Sequence, residues 1–190
     1  MNSTALLLST EAEHLGIIRT PDVKNTSALV ARIAAHDWVL SSLLSAGLAK
    51  GHKTNPCTAL KALQVYCTPI LLSGIASLIL TKSDYKLLDL HYRKIFQRMM
   101  RLHLKATAPA LYILSGLLPI AAQIHIHMFT TLHMIATLDP ANHLYKIYLE
   151  ILNTFQVETI SWFNDLSSTS NYYNIPNTLC YSINLCPGWS

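Results

Sequence analysis

Residues 66–80 read YCTPILLSGIASLIL: fifteen residues without a charge, broken only by Pro69 and Gly74. Two structures accommodate such a run. One is a bilayer span, which needs about 20 mostly apolar residues to cross the hydrocarbon. The other is a core segment of a folded bundle. Widening the window keeps both open, because residues 62–80 and 106–128 each have the length of a span and no formal charge. The 190-residue chain is 51% hydrophobic and only 13% charged, about half the usual charged share of a globular chain. Prolines inside both runs argue against lipid, since each removes a backbone donor and kinks or ends a helix. Gln123, His125 and His127 also crowd one end of the second run.

Outside the apolar runs, the pattern from about residue 25 to 155 is helical. Asn25 or Thr26 caps a first helix whose Leu29, Ile33, Val39, Leu40, Leu43 and Leu44 fall largely on one side. Gly47 supplies its left-handed stop, and Pro56 opens the next helix. Ser83 is the expected cap of a helix over residues 84–105. A short helix follows Pro109 and ends near Gly116, and another runs from Pro119 to about Leu138. Asp139-Pro140 then starts a further helix. Ahead of these, residues 5–8 and 14–19 read as short strands or strand ends, and the chain beyond Gln156 turns Ser/Asn/Tyr-rich. The expected fold is mainly α: an irregular bundle of about six helices with one or two short N-terminal strands.

The most informative periodicity lies in residues 84–105. Lys94, Arg98, Arg101 and Lys105 are spaced by four, three and four residues. At 100° per residue they fall within about 60° of one another, a single cationic stripe. Leu88, Tyr92, Ile95, Met99 and Leu102 form a second, apolar stripe on the same helix. A solvated bundle face explains the charges. However, no acidic residue follows Asp89 within the stretch, and like charges at neighbouring positions repel by a few tenths of a kcal/mol per pair. A phosphate backbone alongside would relieve that repulsion, with an anionic bilayer surface as the rival partner. The net charge of +4 is compatible with either.

Other chemistry is sparse. Cys57, Cys67, Cys180 and Cys186 lack the spacing of a metal or redox motif. His125 and His127 would lie roughly 200° apart on a helix and cannot share an ion. His133 comes nearer to His125 in angle, but two turns away and without a carboxylate. No metal or cofactor is expected. Residues 1–14 have a four-residue apolar core and no basic leader, unlike a signal peptide. The expected setting is intracellular, cytoplasmic or nuclear, and not secreted.

Taken in order, EAEHLGIIR, LLSAGL, YCTPILLSGIASL, the basic helix, APALYILSGLLPIAAQIH, SWFNDL and YYNIP resemble one family. They are similar to the segment just after the catalytic palm of animal non-LTR (LINE-type) retrotransposon reverse transcriptases, from about Glu11 to Trp189. Pro69, Leu71, Leu72 and Gly74 match a block that in the family also carries a tyrosine and an acid, where this chain has Ser73 and Ala76. Ser161, Trp162 and Phe163 match a second block, and Tyr173 with Pro176 a third.

The resemblance implies palm-end strands over 1–22, thumb-like helices over 23–106 with the basic helix at 84–105, a helical linker over 107–156, and an irregular, truncated tail over 157–190. It places Lys94, Arg98, Arg101 and Lys105 where the family's thumb approaches the template–primer duplex. It also implies a fragment without the palm aspartates that hold the family's two Mg2+ ions, hence no enzyme on its own. The expected partners are RNA or an RNA–DNA duplex, bound weakly and without sequence preference. Self-association through exposed apolar surface is expected as well, and a membrane partner is not. Two alternatives stay open: a small membrane protein with spans at 62–80 and 106–128, and a helical interaction module with no nucleic-acid role.

Overall fold

The structure is a computed structural model and describes residues 12–14, 17–19, 26–48, 55–100, 102–103, 105–153 and 162–175. It is mainly helical. Two short strands, β1 (Ala12–His14) and β2 (Ile17–Arg19), pair antiparallel with His14 opposite Ile17. Eight α-helices follow among the described residues: α1 (Thr26–Ser45), α2 (Pro56–Ala62), α3 (Thr68–Leu72), α4 (Lys82–Met99), α5 (Ala108–Ser115), α6 (Ile120–Ala136), α7 (His143–Asn153) and α8 (Trp162–Tyr172). The expected strand at residues 5–8 lies outside the described residues. Two compact units result, one of Met1–Ile75 with Leu80–Leu117 and the other of Ala76–Ile79 with Leu118–Ser190.

In the first unit, the buried face of α1 carries Leu29, His36 and Leu40, with Ile33 half-buried between them. Positions 29, 33, 36 and 40 follow the helical period, so His36 sits inside an apolar stripe. Gly47, at φ +106, ends the α1 segment. The Leu48 N–H donates to Leu43 O at 3.0 Å and the Gly47 N–H to Leu44 O at 3.2 Å, the paired closure that a left-handed glycine permits. Asn55 Oδ1 accepts from the Cys57 N–H at 2.9 Å, and Pro56 opens α2.

The opening stretch is where this unit is sewn together. Between α2 and α3 the helix widens to a π turn over Leu63–Cys67, just ahead of Pro69. Proline cannot donate to the carbonyl four residues back, and a widened turn absorbs that loss. The Thr68 N–H and hydroxyl both turn to Leu63 O, and the same hydroxyl meets the Tyr92 hydroxyl at 3.2 Å. Gly74, at φ +74, makes the turn after α3. Leu63, Cys67, Leu71, Leu72 and Ile75 are buried with Leu88, Tyr92, Ile95 and Phe96 of α4. Pro56–Ser77 does have the length and apolarity of a span, but a little under half of its most apolar window is buried within the fold.

Three element boundaries differ from the sequence expectation. Thr81, not Ser83, caps α4: its Oγ1 accepts from the Asp84 N–H, and its own N–H donates to Asp84 Oδ2 at 2.9 Å. At the other end α4 stops at Met99, short of the predicted Lys105. The Leu102 N–H reaches back five residues to Gln97 O, and the chain turns so that α5 can pack on α4. The third is α7, which starts at His143 and not just after Pro140. Asp139 Oδ1 accepts from the Ala141 N–H in a tight turn, and Asn142 Oδ1 then accepts from the Leu144 N–H.

In the second unit, Ile120, Ile124, Met128 and Leu132 form the buried row of α6, one every four residues. Residues 157–190, expected to be irregular, contain α8. Phe163, Leu166 and Ser170 are buried along one side of it, which offsets the low helix propensity of its Ser, Thr and Asn residues. The Trp162 indole N–H donates to Ala76 O at 2.6 Å, joining Ala76–Ile79 to this unit. The division between units falls at Leu117–Leu118, so α5 belongs with α4 and not with the helices after it.

Candidate functional site

The predicted cationic stripe is only partly assembled. Lys94 and Arg98 lie one turn apart on α4, both exposed, while Leu88, Tyr92, Ile95 and Met99 of the same helix face the core. Neither has an ion-pair partner among the described residues. Arg101 lies outside the described residues. Lys105 is exposed but follows the end of α4, in a turn where its N–H donates to His103 Nδ1 at 3.1 Å. The four residues therefore do not form one helical row.

Arg93, next to Lys94 in sequence, serves the fold instead. Its Nε donates to Asp89 Oδ2 at 2.9 Å, an (i, i+4) pair. Asp89 Oδ1 also accepts from the Tyr112 hydroxyl at 2.5 Å, which fixes α5 against α4. Burial, then this bond to Asp89, push the Tyr112 hydroxyl well above its usual range. One carboxylate thus neutralises Arg93 and ties α5 to α4.

A second constellation was not seen in the sequence. His36 and Asp37 of α1 meet His91 of α4. His36 Nδ1 lies 3.4 Å from His91 Nε2, and the rings meet edge to face. Asp37 Oδ1 lies 3.9 Å from the first nitrogen and 3.6 Å from the second. His36 is wholly buried, His91 half-buried, and the Asp37 side chain 54% exposed, so the cluster opens toward solvent on one side. Burial, then repulsion from His91, hold His36 down to about 4 against the opposing pull of Asp37. Burial lowers His91 as well.

His36 and His91 are 55 residues apart, and no local motif links them. The available signal was the position of His36 in the apolar stripe of α1, with an acid next to it. The histidines singled out from sequence do not converge. His125 is half-buried and its Nδ1 meets the Tyr173 hydroxyl at 3.1 Å, whereas His127 and His133 are exposed. A separate shallow cleft between α2 and the end of α5, lined by Pro56, Cys57, Leu60, Lys61 and Gln64, contains Lys61 as the one charged group among its described lining residues. No protein-family model, curated protein or solved structure matches this chain.

Proposed function

We propose that the chain is a thumb-and-linker-like segment related to LINE-type reverse transcriptases, with sequence-independent affinity for RNA or an RNA–DNA duplex. The observation that carries the binding is the pair of exposed cations on α4, Lys94 and Arg98, without an ion-pair partner among the described residues and presented by a helix whose other side is locked in the core. Such a pair meets phosphates and reads no base edge, so it confers grip without sequence preference. Lys105 adds a third exposed cation after the helix. The sequence contains no Tyr-x-Asp-Asp run, and polymerisation by this chain is not proposed.

The test is fluorescence anisotropy with two RNA–DNA duplexes of unrelated sequence, titrated across a range of salt. Replacing Lys94 and Arg98 together by alanine should weaken binding equally on both duplexes. It should also shallow the plot of log affinity against log salt by about two phosphate contacts' worth. Arg93→Ala, which removes a cation already paired within the fold, should change the slope less. Binding indifferent to the double substitution, or no binding even at low salt, overturns the proposal.

A further inference from the structure

We infer that His36, Asp37 and His91 form a site for one divalent first-row transition-metal ion, with zinc the best fit. Three separations define the triangle of donor atoms: 3.4 Å between the two nitrogens, and 3.6 Å and 3.9 Å from these to Asp37 Oδ1. A point equidistant from all three lies about 2.1 Å from each, the length of a zinc bond to imidazole nitrogen or carboxylate oxygen. That point lies in the plane of the three donors, so a four-coordinate ion requires the exposed Asp37 carboxylate to draw slightly closer to the two rings. Two imidazoles and one carboxylate are a donor set that zinc accepts with a fourth position left open.

The contacts among the three groups point the same way. At 3.4 Å the imidazole pair is long for a hydrogen bond, and neither distance to the carboxylate is within bonding range. Three polar groups face one another without one good hydrogen bond among them. A cation at the centre satisfies all three.

The site is held from both sides. Leu29 and Leu40 anchor α1 and Leu88 and Tyr92 anchor α4, all buried. The exposed side of Asp37 gives the ion and its fourth ligand a path from solvent. One element is missing: His36 Nε2 is buried without a partner among the described residues. Metal-binding histidines ordinarily donate that second N–H, and losing such a partner costs about 10–100-fold in affinity. The affinity should therefore fall below that of a structural zinc site.

The test is a titration of the chelator-treated full chain with Co2+, followed by displacement with Zn2+. One Co2+ per chain should bind, with the intense visible absorption of four-coordinate cobalt, and Zn2+ should abolish it. Mg2+ should not, because it prefers six oxygen ligands. His91→Gln should weaken binding by about tenfold or more, on the scale of lost ligand support, whereas His125→Gln should leave it unchanged. Asp37→Asn alters an exposed side chain and carries the same expectation as His91→Gln, with circular dichroism confirming that the helices persist. No visible band, or bands in both ligand variants as strong as that of wild type, overturns the inference.

Discussion

His36 is an imidazole in a position that the helical period of α1 reserves for an apolar side chain. Its Nε2 has no partner among the described residues, and a buried unsatisfied group costs about 1–3 kcal/mol. Replacing it with leucine, of comparable volume, should therefore leave stability at neutral pH unchanged or raise it by about 1 kcal/mol. The pH dependence should change more. Burial holds the folded His36 at about 4, below its ordinary 6.5, so between those values the unfolded chain binds the proton more readily. Stability is complete above pH 6.5 and declines as pH falls, by up to about 3 kcal/mol once pH 4 is passed. His91 and Asp37 face the ring, Lys94 lies near His91, and His125 titrates in the same direction elsewhere. The contribution of His36 is thus the difference between wild type and His36→Leu. Urea midpoints measured with chelator at neutral pH and near pH 4 should lie further apart for wild type than for the variant. Parallel acid losses in both proteins would remove His36 as the cause.

The helix termini show what local chemistry decides and where tertiary packing takes over. Gly47 and Pro56 act through backbone constraints of their own, and both boundaries follow from their residue types. At the start of α4, Thr81 and Ser83 were equal in chemistry, but only Thr81 has an acid three residues on to complete a reciprocal cap. Thr81→Ala should cost about 1 kcal/mol in thermal or urea unfolding, while Ser83→Ala, on the exposed first turn, should stay within about 0.5 kcal/mol. A larger loss at Ser83 would reverse that assignment. The far end of α4 was illegible for a different reason. Residues 100–105 continue the cationic and apolar periods without glycine or proline, and nothing local announces a stop. The stop comes from the need to bring Tyr112 back to Asp89, 23 residues earlier. α8 was missed by the reverse error, since its composition suggested a loop while Phe163, Leu166 and Ser170 already carried a helical spacing. The cationic residues were legible one by one, but their common face was not, because it depended on where the helix ends. The cluster of His36, Asp37 and His91 depends on how α1 meets α4, which no local pattern encodes.

For the molecule as a whole, the stretch at 66–80 looks lipid-like because its apolar residues serve several helices at once and it has no charge to mark a solvent side. In the structure the two sides of the span-length segment that overlaps it, Pro56–Ser77, differ sharply. Leu71 is wholly buried, whereas Val65 and Tyr66 are 54% and 58% exposed. A core helix and a spanning helix make opposite demands at these positions. If the segment is core, Leu71→Ala should cost about 2–5 kcal/mol through lost burial and the cavity left behind. Val65→Lys, with room for its ammonium in water, should then change stability by no more than about 0.5 kcal/mol. In a bilayer the costs exchange places: a lysine near mid-span costs about 2.5–3.5 kcal/mol to insert, while a leucine facing lipid is replaced by alanine at little cost. Urea unfolding of both variants, with carbonate extraction of each from expressing cells, separates the two cases. The fold predicts a damaged Leu71→Ala, a normal Val65→Lys, and release of both by carbonate. Retention of wild type in the membrane fraction, with Val65→Lys selectively released, would move the segment into the bilayer and make the interior built from α1, α3 and α4 secondary to lipid.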